Sequence, residues 1–257
     1  MTAGILSVIF LILILTVGGN RTAKSFIALI GNAAMMICAI FAINSNIHPL
    51  PVMLVMAASV STLSLFYQNG YNTKTVSAFI SVMTVSIMMT ALIFLFVFNA
   101  HIQGMPGTSH HSIRPSNGYP GEIGVDMLSL HVMVILIALM GSVIDTSLAV
   151  TSGCFEVMRH NKGLKKSEIF ASGIRIGGEI LCSTVNTLVF VFIGEFLSMF
   201  VTLAQFEPVH YVINSKEFSQ GVICIMISAA GCVAIIPIAS AMIGKLGYKD
   251  RTKPAAG

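Results

Sequence analysis

Charge is what this chain lacks most. Only 9% of its 257 residues are Asp, Glu, Lys or Arg, where a water-soluble domain carries about a quarter. So little charge cannot clothe a folded surface in water, which excludes an ordinary soluble domain. Tryptophan is absent, and aspartate occurs only at 126, 145 and 250. Just one of these falls inside an apolar run, so a two-aspartate intramembrane protease lacks its second acid. No G-x-S-x-G elbow and no H-E-x-x-H pair occurs, and "GKLGYK" lacks the glycine-rich turn and Lys-Ser/Thr ending of a P-loop. No enzymatic activity and no cofactor are therefore expected. The five cysteines (38, 154, 182, 224 and 232) form no CxxC pair and lie in or beside apolar runs. They read as small packing residues, with neither a disulfide framework nor a zinc site.

What the chain has is apolar length. Hydrophobic residues make up 55% of it, and the mean hydropathy is +0.89. A helix needs about 20 apolar residues to cross a bilayer core. Seven runs come near that length, at roughly 2–18, 26–44, 50–67, 77–99, 128–150, 179–204 and 220–243. The expected fold is all-α: a polytopic integral membrane protein of about seven transmembrane helices plus one cytoplasmic interfacial helix, in a single transmembrane domain over 1–257. The first run has no basic residue before it and no A-x-A-like cleavage site, so it is not expected to be a signal peptide.

The basic residues set the expected orientation. Of 14 Lys and Arg, 12 fall in alternate connections: Arg21, Lys24, Lys74, the group from Arg159 to Arg175, and the tail from Lys245 to Lys253. Loops rich in Lys and Arg stay cytoplasmic. The N-terminus is expected outside and the C-terminus inside, in a bacterial cytoplasmic membrane. The net charge of +4 reads as this topology signal, and no nucleic-acid partner is expected; the partner is the lipid bilayer. The connection 99–126, full of Gly, Pro, Ser and His, is expected to be an extracellular loop. Imidazoles and Met105 in it are possible metal ligands by type, but adjacent His110 and His111 lack i, i+4 spacing, and a solvated polar loop is the expectation. The connection 158–178 is expected to be cytoplasmic and basic. Within it, 167–177 reads as an interfacial helix capped by Ser167. The tail 244–257 is expected to be cytoplasmic and basic.

Two segments put polar residues where lipid is expected. In "GSVIDTSLAVTSGCFEV", Asp145, Ser152 and Glu156 are seven and four residues apart, which returns each to one helix face. Gly141 and Ala149 share that face. In the next span, Ser172, Arg175, Glu179, Ser183 and Asn186 repeat at three and four. Arg175 and Glu179 stand at i, i+4, the spacing of an intrahelical ion pair. An acid at the bilayer centre costs about 2.5–3.5 kcal/mol, so the two stripes are expected to face each other or a wet cavity. Glu156 also fits a headgroup position. Glu195, in "FIGEFLSMF", fits either a second polar site or an interface.

These two segments together resemble the YibE/F-like family of bacterial multi-pass membrane proteins. The match rests on Gly141, Asp145 and Glu156, then Ser172, Gly173, Gly177 and Glu179, then Asn186, Thr187 and Leu188. It is strong over 141–194. The chain departs from the pattern at Gly178, where an Arg is expected, and at Glu195, where small residues are usual. The resemblance implies a permease-like protein of unknown substrate, its path using Asp145, Glu156, Arg175, Glu179, Asn186, Ser152 and Ser183. Longer members carry a soluble domain that this chain has no room for, which implies a longer relative as partner. The alternative is a non-transporting subunit that assembles with that relative or another membrane protein.

Overall fold

The computed structural model describes residues 2–100, 126–161, 163–206 and 208–251. Among these residues the regular structure is helical throughout. It comprises α1 (Thr2–Asn44), α2 (Pro49–Thr62) with a π-helical continuation (Leu63–Tyr67), α3 (Thr73–Ala100), α4 (Met127–His160), α5 (Lys166–Phe206), the short α6 (Val209–Ile213) and α7 (Lys216–Arg251). Six segments are long and apolar enough to cross a bilayer: Thr22–Asn44, Pro49–Tyr67, Thr73–Ala100, Met127–His160, Lys166–Leu197 and Phe218–Tyr248. The chain is a multi-pass α-helical membrane protein.

Two features depart from expectation. The first two apolar runs do not form separate helices. They lie on α1, which runs unbroken for 43 residues, about 65 Å at 1.5 Å per residue and twice the thickness of a hydrocarbon core. Neither Gly18-Gly19 nor Arg21 interrupts its hydrogen bonding. The expected interfacial helix is likewise no separate element but the first turns of the 41-residue α5. Its start is capped by Glu168 rather than Ser167: the Lys165 amide donates to Glu168 Oε2 at 2.8 Å, the reach-back half of a capping box. The His-rich loop lies outside the described residues, apart from its edges at Asn99, Ala100 and Asp126.

Most of the described basic residues gather at one end of the bundle, and Lys216 starts α7 at the other. Gln68 Nε2 donates to Ser25 Oγ at 2.5 Å, tying the π turn to α1 beside Lys24. Lys166 Nζ stands 4.8 Å from the Tyr248 ring centroid, which brings the start of α5 to the end of α7. The opposite end carries the 44–49 connection and the start of α4, linked by His48 and Asp126 at 3.9 Å.

The α4 helix is the central element. It packs against α2, α3, α5 and α7, while α1 packs on α2 and its π turn. Leu136, Leu139 and Val143 of α4 are buried among Val82, Val85 and Ile93 of α3 and Ile235 of α7. Gly231 lets α7 come close, since a Cβ there would stand 2.5 Å from Leu139 Cδ1. Small residues at a crossing are the usual device where lipid supplies no hydrophobic drive for helices to associate.

Asp126 caps α4. Its carboxylate accepts from the Leu128 and Ser129 amides at 3.1 and 3.3 Å and from the Ser129 hydroxyl. The Ser129 hydrogen bond holds this carboxyl below its ordinary value, with the two amides and His48 assisting against partial desolvation. A depressed folded pKa gives stability that is present above the unfolded value and lost as pH falls through the folded one. Asp126→Ala is expected to destabilise by about 1 kcal/mol at neutral pH, the usual worth of an N-cap. In thermal melts followed by circular dichroism, the gap from the unmodified chain should close as pH drops below the carboxylate range.

Candidate functional site

The hydroxyls of "GSVIDTSLAVTSGCFEV" divide between two faces. Thr146, Ser147 and Thr151 are buried and serve packing. Thr146 Oγ1 donates to Cys232 Sγ of α7 at 3.7 Å, Ser147 Oγ to the Ala78 carbonyl of α3 at 3.3 Å, and Thr151 Oγ1 to the Ser147 carbonyl at 2.8 Å. Asp145 and Glu156 are exposed, with Ser152 partly so. The periodicity that put these three on one face is observed.

The side to which they point follows from the contacts. A Cβ added at Gly153 of α4 would stand 3.1 Å from Ile176 Cδ1 of α5, and one at Gly173 would stand 2.9 Å from Cys154 Sγ. These mark the α4–α5 contact line. On α4, groups that meet α7 include Leu139, Val143 and Thr146. At 100° per residue they lie about 20–80° to one side of Gly153, and Asp145 lies about 80° to the other. On α5, a Cβ at Gly177 would stand 2.3 Å from Ile236 Cγ2 of α7. Gly177 lies about 100° to one side of Ile176, and Glu179, Ser183 and Asn186 lie about 20–80° to the other. Both polar stripes therefore sit on the flank away from α7 and open on the same side of the α4–α5 pair.

Register follows from the same contacts. Asp145 is eight residues before Gly153 and Thr184 eight after Ile176, so in this antiparallel pair Asp145 is level with Ser183 and Thr184. Asn186 stands about 3 Å further from the basic end, Glu179 about 7 Å nearer to it, and Glu156 about 9 Å beyond Glu179. Asp145 is the nineteenth of the 34 residues of α4, about 27 Å from one end and 22 Å from the other. It lies within the membrane-spanning helix, in the half of its apolar run nearer the basic end.

The stripes share a side, but they do not close on each other as expected. Arg175, Glu179, Ser183 and Asn186 are all exposed. Glu156 pairs instead with His160 at 3.1 Å, one turn on. Among the described residues no ion pair joins Arg175 to Glu179. The reason is packing. Gly173 and Gly177 are the small side of α5, and they bring its backbone onto α7. That turns the polar side outward rather than over α4. The result is an open face bearing Glu156, Glu179, Asp145, Ser183 and Asn186 in order along the helix axes. Arg175 lies beside it toward the basic end.

Sequence reasoning missed two further polar groupings. One is the network at the π turn: Asn32 Nδ2 donates to Ser64 Oγ at 3.2 Å, and Asn69 Nδ2 to the Ser64 carbonyl at 3.0 Å. The "QNGYN" turn was its only signal. The other is Glu195 with His131 and Gln220, which line one cavity from three helices. Glu195 stood out as an acid in an apolar run, but nothing local named its neighbours. Among the described residues no group of three or more His, Cys, Asp and Glu gathers as a metal site.

A family model described as YibE/F-like protein matches residues 6–249, nearly the whole chain. Comparison with curated proteins gave no match, and comparison with solved structures gave none.

Proposed function

The chain belongs to the YibE/F-like family, and from that premise we propose that it is a permease-like protein whose open α4–α5 face forms one wall of a path for protons or small cations. The observation that carries the proposal is the placement of Asp145. It stands inside a membrane-spanning helix on an exposed face, level with Ser183 and close in depth to Asn186. A carboxylate there is costly against hydrocarbon and useful against water or a passing cation. In this reading Asp145 binds or titrates. Glu179 and Glu156 extend the acidic ladder toward the basic end. Ser183 and Asn186 supply neutral oxygens, with Asn186 also able to donate.

The face is open on a single chain, so the path needs a second wall. We propose that another polypeptide supplies it: a second copy or a longer relative of the same family. The basic end is assigned to the cytoplasm by its Lys and Arg. The test is purified chain in liposomes, with proton and alkali-cation flux followed by interior dyes. Flux that scales with protein supports the path. No flux from the chain alone, with recovery when a co-purified membrane partner is added, supports the second reading, a subunit that depends on its partner. No flux under either condition overturns the path.

The second wall has its own measurement. With native cysteines replaced, Ser183→Cys labelled in native membranes with a thiol-reactive benzophenone is expected to photo-cross-link to the second wall. A dimer-sized product identifies a second copy, and a heavier adduct a longer relative. Failure of Ser183→Cys to cross-link, in membranes where a cysteine placed in the 44–49 connection reacts with thiol reagent, removes the second polypeptide.

A further inference from the structure

A separate cavity of about 400 Å³ lies between α4, α5 and α7, toward the end of the bundle where α4 and α7 begin. It is lined by His131 of α4, by Phe192, Glu195 and Phe196 of α5, and by Gln220 and Cys224 of α7, among apolar neighbours. A volume of this size lies at the lower end of the range for small-molecule sites, and a mostly apolar wall with a few polar groups is their usual make-up. The cavity is distinct from the Asp145 face: His131 is fourteen residues from Asp145, about 21 Å along α4.

Its wall is built. Gly221 of α7 leaves room for two rings, since a Cβ there would stand 2.5 Å from Phe192 Cε2 and 3.0 Å from Phe196 Cε2. The two rings are 4.8 Å apart between centroids. Phe218 packs behind Phe192 at 6.0 Å, and Phe200 packs on Phe196 at 6.1 Å. Glu195 and Cys224 both line the cavity, from α5 and α7. Among its described lining residues Glu195 is the one carboxylate, and no Lys or Arg is present.

Aromatic rings attract a cation through their negative faces, best when water is excluded. A single carboxylate beside them fixes the sign and the valence. We propose that this cavity binds a small monovalent organic cation with an apolar body, of the alkylammonium class. The rings and aliphatic wall take the alkyl groups, and Glu195 takes the charge. A compact inorganic cation leaves the apolar wall unused, and an anion meets Glu195. The assignment is independent of the path at Asp145, because it is read by binding and needs no flux.

The experiment uses the full chain in detergent with tetraethylammonium chloride as the probe, followed by calorimetry. Sodium chloride at matched ionic strength and the neutral near-isostere 3-ethyl-3-pentanol serve as comparisons. Saturable binding of tetraethylammonium alone is expected. It should weaken by at least about tenfold in Glu195→Gln and persist in Asp145→Asn. The chain has no tryptophan, so Phe196→Trp places one indole in the cavity. Its emission should respond saturably to tetraethylammonium, and that response should be lost when Glu195→Gln is added. Equal affinity in Glu195→Gln, equal binding of the neutral alcohol, or no saturable signal by either method overturns the proposal.

Discussion

Asp145→Asn is expected to lower flux through the reconstituted protein by at least about tenfold, equivalent to about 1.4 kcal/mol, while leaving the fold as stable as before or more so. The two readouts move oppositely for one reason. The amide matches the carboxylate in size, but it neither titrates nor carries a full charge. If Asp145 serves a moving cation or proton, its neutral replacement removes that service. The same replacement relieves part of the roughly 2.5–3.5 kcal/mol that an acid costs at the centre of a membrane helix. A structural contact predicts another pattern, in which the variant loses stability and flux together. Asp145→Glu keeps the charge one methylene further out, and it should retain more flux than Asn. Unchanged flux in Asp145→Asn, measured beside an active unmodified sample, removes Asp145 from the path.

Gly173→Leu is expected to be the most damaging single change to the fold. This glycine sits where α5 meets both α4 and α7. A Cβ there would stand 2.3 Å from Ser240 Oγ, 2.6 Å from Ser240 Cβ and 2.9 Å from Cys154 Sγ. Ser240 cannot swing aside cheaply. It is buried, and its hydroxyl donates to the Ile236 carbonyl at 2.7 Å. Overpacking a well-filled core costs about 1–3 kcal/mol, occasionally more. Leucine adds three carbons beyond a Cβ that already overlaps its neighbours, so a loss above about 3 kcal/mol is expected. The measurement is the thermal midpoint by circular dichroism, with the size-exclusion profile in detergent. Gly178→Leu is the comparison, one helix position from Gly177 but on an open side with nothing within 4 Å of an added Cβ. It should melt as the unmodified chain does. If Gly173→Leu does so too, α5 does not cross α7 where these contacts place it.

These two predictions draw on the sequence to different degrees. Asp145 was legible early, because an acid inside an apolar run is conspicuous and its spacing to Ser152 and Glu156 is helical. The common side of the α4 and α5 stripes was half legible. Adjacent spans joined by a short loop run antiparallel, so polar groups at similar depth were expected near one another. Their failure to close was not legible. It depends on Gly173 and Gly177 meeting Ser240 and Ile236, residues more than fifty positions away in sequence. The inward turn of Thr146, Ser147 and Thr151 was readable from the 100° period once Asp145 was known to face out. The fusion of two apolar runs in α1 was not, since a Gly-Gly-Asn-Arg stretch permits a turn and a continuous helix alike. The Glu195 cavity needed three helices at once.

By itself the sequence determined the solvent, the helical class, the place of six of its seven expected crossing segments and the residues that share each helix face. Those follow from local chemistry: too little charge for water, runs long enough for lipid, and a fixed angle per residue. Only the tertiary structure decided which face meets a neighbour and which stays open. In a bilayer the lipid tails and the protein core are both apolar, so hydrophobicity cannot tell them apart. Close approach of small residues makes that choice, and the partners in such contacts are set by packing across the bundle rather than by spacing along the chain.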